Sequence, residues 1–352
     1  MQVDVLRIAD LRNYTNAEFR PAPATTVVVG GNGSGKSSLL EAAGLFSTLQ
    51  SSRASSLRMI VRDGCEEGGA HLDTADGASL EVRVKSGRTV LRAGGSSAQA
   101  KDFLGRFKSV LFTPEDLDLV RGEPSLRRRA LDALGIQLRP RHRSLQRDFE
   151  RALKQRNAAL RDMQPAVAEL YSEPLAMAAG PLLDARREIA GALSGPVTDL
   201  YGELAHKGTV SLSYEDSAES GDRTGADLIE YLRDAYLRTI GTDLDRGRTT
   251  IGPHRDDIDI TLDGRAARWY ASRGEQRAIT LALRLAELRL LDNAVLMLDD
   301  VLSELDPERR RRVFDVTTGV QTIVTTTDLE SLPPSAKSEA VWHVSDGHLE
   351  AA

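Results

Sequence analysis

The sequence predicts an α/β protein built from both chain ends, with a mainly helical lobe inserted between them. Three observations predict it. Strand and helix patterns alternate in the first 50 residues and again after residue 257; the stretch from Pro124 to Ala205 carries little strand signal; and an apolar run at each end stops at a short turn, as buried parallel strands do. The expected division is a head fragment at 1–120, a second lobe at 121–240 and a closing head fragment at 241–352.

Each element follows from its pattern. "VDVLRIADL" alternates as a half-buried strand, while "TTVVVG" is wholly apolar and ends in glycine, the signature of a buried one. From Lys36, "KSSLLEAAGLFSTL" places apolar residues at helical spacing. Residues 69–93 alternate around Asp-Gly and Ser-Gly pairs, which predicts an antiparallel meander. "SVLF" is a short strand closed by a turn at Pro114. In the middle, "RSLQRDFERALKQRNAALRDM" sets Leu145, Phe149, Leu153, Leu160 and Met163 on one helical face with arginines opposite. Residues 214–225 are expected as an exposed polar loop and 226–240 as a helix. "DIDITLDGRAARWYA" is a hairpin around Asp-Gly, followed by a long helix, the strand "AVLML", the charged segment "DPERRRRVFDV" and the strand "QTIVTTT".

Bulk properties narrow the class. The single cysteine, Cys65, excludes an internal disulfide and suits a reducing compartment. No apolar run reaches the 18 or so residues of a membrane span, so a soluble, cytoplasmic protein without a membrane partner is expected. The formal charge of −6 argues weakly against nucleic acid as a partner. Its distribution argues the other way. Residues 121–161 hold twelve Arg or Lys against four Asp or Glu, a net +8, which leaves −14 for the rest. Arg127, Arg128, Arg129, Arg139, Arg141, Arg143 and Arg147 are therefore candidate phosphate contacts for DNA; a solvated helix face with internal ion pairs is the alternative.

Gly30-Gly31-Asn32-Gly33-Ser34-Gly35-Lys36-Ser37 matches G-x4-G-K-[ST] between an apolar strand and a helix. Glycines let backbone N–H groups turn toward phosphates, Lys36 reaches the β and γ oxygens, and Ser37 offers a hydroxyl to magnesium. Asp299, at the end of the apolar strand before "DDVLSELD", is the expected second magnesium ligand. Asp300 is placed to orient or deprotonate attacking water. Ser272 and Gly274 open a second helix start that would bind an anion, either for the same nucleotide or for one held by another copy. An ordinary serine-capped helix is the plainer alternative. In "GPHRDD", His254, Asp256 and Asp257 fall on alternating sides of an extended chain, so a structural or DNA-facing loop is favoured over a metal site.

Taken in order, the glycine loop, Ser-x-Gly-x-Gln-Arg, apolar-Asp-Asp and Ser-Glu-Leu-Asp resemble the ABC-type P-loop ATPase heads of DNA-repair proteins, and among them the RecF family. "LRIADLRNYTNAEF", "GNGSGKSSLLEA", "LFTPEDLDLVRGEPSLRRRALD" and "TIGPHRDDIDITLDG" extend the likeness over nearly the whole chain. Glu275 departs from the commoner glutamine of the signature, and no switch histidine or clear glutamine loop is present. The resemblance implies ATP and Mg2+ as cofactors, weak ATP hydrolysis, and an ATP-dependent homodimer in which Ser272 and Gly274 touch the γ-phosphate bound by the other copy. It further implies DNA binding at duplexes, gaps or single-strand/double-strand junctions, and RecO, RecR and RecA as partners. An ABC-type ATPase subunit of a defence or transport assembly, without DNA binding, is the alternative class.

Overall fold

The computed structural model describes residues 2–205, 207–333, 336 and 338–352. They form two compact units: Met1–Leu117 with Thr280–Ala352, and Asp118–Ile279. Compactness thus groups 241–279 with the inserted lobe, whereas the sequence pattern sets the lobe at 121–240. The reason is strand pairing. Asp257–Leu262 is antiparallel to Val210–Glu215 on one side and to Arg265–Ala266 on the other, so the hairpin belongs to the lobe's own three-stranded sheet.

The first unit carries two six-stranded sheets. One is antiparallel and contains the predicted meander, with Glu67–Thr74, Ser79–Lys85 and Arg88–Ala93 paired in sequence and Val3–Leu11 and Tyr14–Phe19 added at the other edge. The other sheet is largely parallel, in the order His348–Ala351, Ser338–Ser345, Thr25–Val29, Thr322–Thr326, Val295–Asp299, Ser109–Phe112. Its central strands are apolar on both faces because both are covered: Val27, Val28, Val295 and Met297 are completely buried. The helix Lys36–Thr48 packs against strands of both sheets and buries Leu39, Leu40 and Phe46 between them. Gln321 ties the sheets at their base, donating to the carbonyls of Val3 and Ala22 and accepting the Val3 N–H.

In the second unit the helices Pro124–Leu138, His142–Arg161, Ser172–Ala205 and Gly225–Arg238 surround a core of Phe149, Leu175, Leu182, Leu183, Leu228, Leu232 and Tyr236. Two local expectations change here. Met163 is 65% exposed, because the helix stops at Arg161 and Met163 lies beyond its cap in the left-handed region, φ 52°. The polar segment 214–225 is not a free loop: Tyr214 and Glu215 are strand residues, and Ser220 is completely buried. Its polar groups bond inward. Asp216 accepts from the N–H groups of Ala218 and Ser220 and from Arg187, and the Ser217 hydroxyl donates to Asp256.

Candidate nucleotide site

The glycine loop joins the strand Thr25–Val29 to the helix Lys36–Thr48. Two of its glycines are required by space. A Cβ on Gly30 would lie 2.4 Å from the Val344 carbonyl oxygen; one on Gly35, whose φ is +122°, would lie 2.8 Å from Asn13 Nδ2 and 2.9 Å from the Tyr14 hydroxyl. Those two side chains hold the loop from behind, Asn13 Nδ2 donating to the Ser34 carbonyl at 2.8 Å and the Tyr14 hydroxyl to the Gly35 carbonyl at 3.0 Å. Arg12 fixes the helix through two hydrogen bonds to the buried Glu41. The segment "LRNY" is thus a buttress for the loop, a role its sequence did not reveal.

Lys36 is buried, and its ammonium donates to the carbonyls of Gly30 at 2.8 Å and Gly31 at 3.1 Å. It also lies 3.3 Å from Asp300 Oδ2. Gly31, Asn32 and Gly33 are exposed at the mouth of the loop, while Ser34 and Gly35 are buried beneath it. Asp299 ends its strand buried, with Ser37 and Thr325 hydrogen-bonded to its carboxylate. Burial pushes the Asp299 carboxyl above its ordinary value, against the two hydroxyl bonds that favour its charged form; the neighbouring Asp300 charge adds to the rise and Arg53 opposes it. Arg53 stands in no recognisable motif, and sequence reasoning missed it; Thr325 begins the segment 325–328 that stands in place of a switch histidine, and the sequence assigns it no role. A buried carboxylate and a hydroxyl in contact form an oxygen-only donor pair, which fits magnesium completed by phosphate oxygens and water. Among the described residues there is no cluster of three or more His, Cys, Asp or Glu that would hold a metal by itself.

Ser272 and Gly274 lie in the second unit, at the start of the helix Arg273–Leu290. Ser272 is exposed, and the preceding turn Ala267–Tyr270 carries Trp269 and Tyr270 at 73% and 69% exposure, each with an arginine, Arg268 or Arg265, over its ring.

The basic lobe is corrected by the structure. Arg127 is buried, paired in two hydrogen bonds with Asp257 and donating to the carbonyls of Leu119 and Gly122, so it has no face to offer a phosphate. Arg128 is half-buried and donates to the Asp256 carbonyl at 2.6 Å. Burial lowers the guanidinium pKa of Arg128 and of the half-buried Arg143. Arg139 pairs with Glu188 at the surface. Arg129, Arg141 and Arg147 are exposed. The count over 121–161 could not separate these groups, because Arg127 and Arg156 within it serve the lobe's polar core, as Arg186 does beyond it. Arg156 bonds Asp243, Thr249 and the Tyr236 carbonyl; Arg186 bonds Asp132 and the Pro253 carbonyl. "GPHRDD" belongs to the same core. Asp256 accepts from Tyr214 and Ser217, and His254 bonds the Thr249 carbonyl.

The chain matches the RecF/RecN/SMC N-terminal domain family over residues 2–349. It is 35% identical over 363 residues to the DNA replication and repair protein RecF of Anaeromyxobacter sp., covering 99% of this chain and 98% of that one. The chain belongs to the RecF family. A RecF of Acidothermus cellulolyticus is likewise 35% identical, over 99% of this chain and 100% of its own. The solved structure of the recombination mediator protein RecF with ATP, in the RecFOR pathway, superposes with a TM-score of 0.89 at 25% identity, covering 100% of this chain and 97% of that one. The fold is the ABC-type P-loop ATPase head, and as a RecF the chain is an ATPase of DNA replication and recombinational repair rather than a transport or defence subunit. Among the described residues no helix is long and apolar enough to cross a membrane.

Proposed function

We propose that this chain binds ATP at Gly30–Ser37, dimerises on it, and in that state holds DNA at gaps or single-strand/double-strand junctions. The observation that carries the reading is the Lys36 ammonium, buried between two loop carbonyls and Asp300. The ammonium is the group to take the β and γ oxygens, and transferring its charge to them frees the Asp300 carboxylate for water. Ser37 and Asp299 would hold magnesium, which supplies charge neutralisation on the phosphates. Ser272 and Gly274 close over the γ-phosphate of a second copy, so ATP binding favours the dimer and weak hydrolysis resets it. Arg129, Arg141 and Arg147 are the best placed of the lobe's arginines for the DNA backbone. RecO and RecR act with it to help RecA load, in the cytoplasm.

The test is binding to gapped DNA with and without ATP at two salt concentrations, together with the mass of the protein in ATP. Lys36→Ala and Ser272→Arg should each abolish the ATP-dependent dimer. A dimer that survives both, or DNA binding indifferent to ATP and salt, refutes the reading.

A further inference from the structure

Thr325 is completely buried in the strand Thr322–Thr326, directly beside Asp299 in the parallel register. The two residues before it in the strand, Ile323 and Val324, are apolar, Thr326 follows it, and a valine would fill the same volume. A hydroxyl at such a position must find partners. Thr325 Oγ1 donates to Asp299 Oδ1 at 2.8 Å and accepts the Asp300 N–H at 3.1 Å; the same N–H reaches the Thr325 carbonyl at 3.2 Å. One proton and two lone pairs thus serve two successive carboxylate residues.

The same bonds hold the Asp300 backbone. It lies in the left-handed region, φ 55° and ψ 13°, which aspartate tolerates better than most residues with a Cβ, and its N–H is fixed there by the Thr325 hydroxyl and carbonyl. That turn directs its carboxylate to Lys36.

We infer that Thr325 is a positioning residue for ATP hydrolysis: its single hydroxyl fixes the Asp299 carboxylate from one side and the left-handed Asp300 backbone from the other, so that the two carboxylates are set together. The inference rests on the roles proposed above for Asp299 and Asp300. It also gives a task to the strand after which no switch histidine follows.

The test uses Thr325→Val, which keeps the shape and removes the hydroxyl, and Thr325→Ser, which keeps the hydroxyl. Turnover is measured with purified full-length protein, and ATPγS affinity is measured both with Mg2+ and in EDTA. Loss of a group that orients a metal ligand costs about 10- to 100-fold, so Thr325→Val should lower kcat by about tenfold or more and reduce the affinity gained on adding Mg2+. KM and the affinity in EDTA should stay near wild type, and Thr325→Ser should recover most of the rate. Equal impairment of the valine and serine variants would assign the effect to packing and overturn the inference, as would a valine variant with wild-type turnover and magnesium response. If the valine variant does not fold, Thr325→Ala is set against Thr325→Ser, a pair that differs by one oxygen: a faster serine variant supports the inference and equal rates overturn it. Asp300→Asn separates the two layers. Wild-type turnover in that variant sinks the underlying reading of Asp300, whereas loss there with an active Thr325→Val sinks only the role of Thr325.

Discussion

Glu275 turns back on Ser272: the Ser272 N–H donates to Glu275 Oε2 at 2.7 Å, and the Glu275 N–H donates to Ser272 Oγ at 3.3 Å. This reciprocal capping box engages the carboxylate with the start of its own helix. A negative group beside the turn proposed above to bind phosphate is then no contradiction, since its charge is turned toward a backbone donor. Glutamine can make the same bond. Glu275→Gln should keep the melting temperature and the ATP-dependent dimer, while Glu275→Ala should lose about 1 kcal/mol of stability and weaken the dimer. Denaturant titration and sedimentation with ATPγS check both; equal loss in the glutamine variant would show that the charge matters and the cap does not.

Lys36 and Asp300 face each other across 3.3 Å but should fail differently. Lys36→Ala should lose nucleotide binding itself. Asp300→Asn should retain ATP and the dimer while turnover falls by about 100-fold or more, the usual scale for a lost general base. Equilibrium binding of a fluorescent ATP analogue, run beside phosphate release, distinguishes the two patterns.

Two arginines of the lobe should separate stability from DNA affinity. Arg127→Ala leaves Asp257 without its buried partner and should cost about 3–5 kcal/mol. Arg147, with a side chain 70% exposed, should change stability by less than about 0.5 kcal/mol when replaced by alanine. If Arg147 meets a DNA phosphate, its removal should reduce the slope of log K against log salt by about one. Anisotropy with labelled gapped DNA over a salt series measures this; an unchanged slope removes Arg147 from the contact.

His254 makes acid stability measurable. Burial lowers its pKa to about 4, against a bond to the Thr249 carbonyl that favours the charged form. In the unfolded chain it protonates near its ordinary value, so between those two pH values the unfolded state binds the extra proton. The contribution is therefore complete above about pH 6.5 and declines as pH falls toward 4, by about 3 kcal/mol in all. His254→Gln should flatten this part of the stability curve and leave the pH profile of ATP turnover in place. A turnover profile that changes with it would instead give His254 a part in hydrolysis.

Elements whose pattern is written in one stretch were legible from sequence: the glycine loop, the strand before Asp299 and the antiparallel meander. Elements set by distant partners were not. Arg127 and Arg147 look alike in the sequence; the carboxylate of Asp257, 130 positions away, together with the Leu119 and Gly122 carbonyls makes the first structural. Thr325 stands in the sequence only as the start of the segment that replaces a switch histidine, and its partner is hidden until Asp299 is found beside it. The Ser272 cap is legible as the plainer reading of that turn; the return bond from Glu275 has the spacing of a capping box and shows only in the structure.

The strand Thr25–Val29, which feeds the glycine loop, pairs on one side with Thr322–Thr326 and on the other with Ser338–Ser345. Both neighbours are made some 300 residues later, whereas the unit Asp118–Ile279 is contiguous and has all its strand partners within itself. During synthesis the inserted lobe can fold while the nucleotide loop still hangs from an unpaired apolar strand. Competence to bind ATP therefore waits until Thr322–Thr326 and Ser338–Ser345 have been made, and until then the apolar "TTVVV" segment has no strand partner to cover its edges.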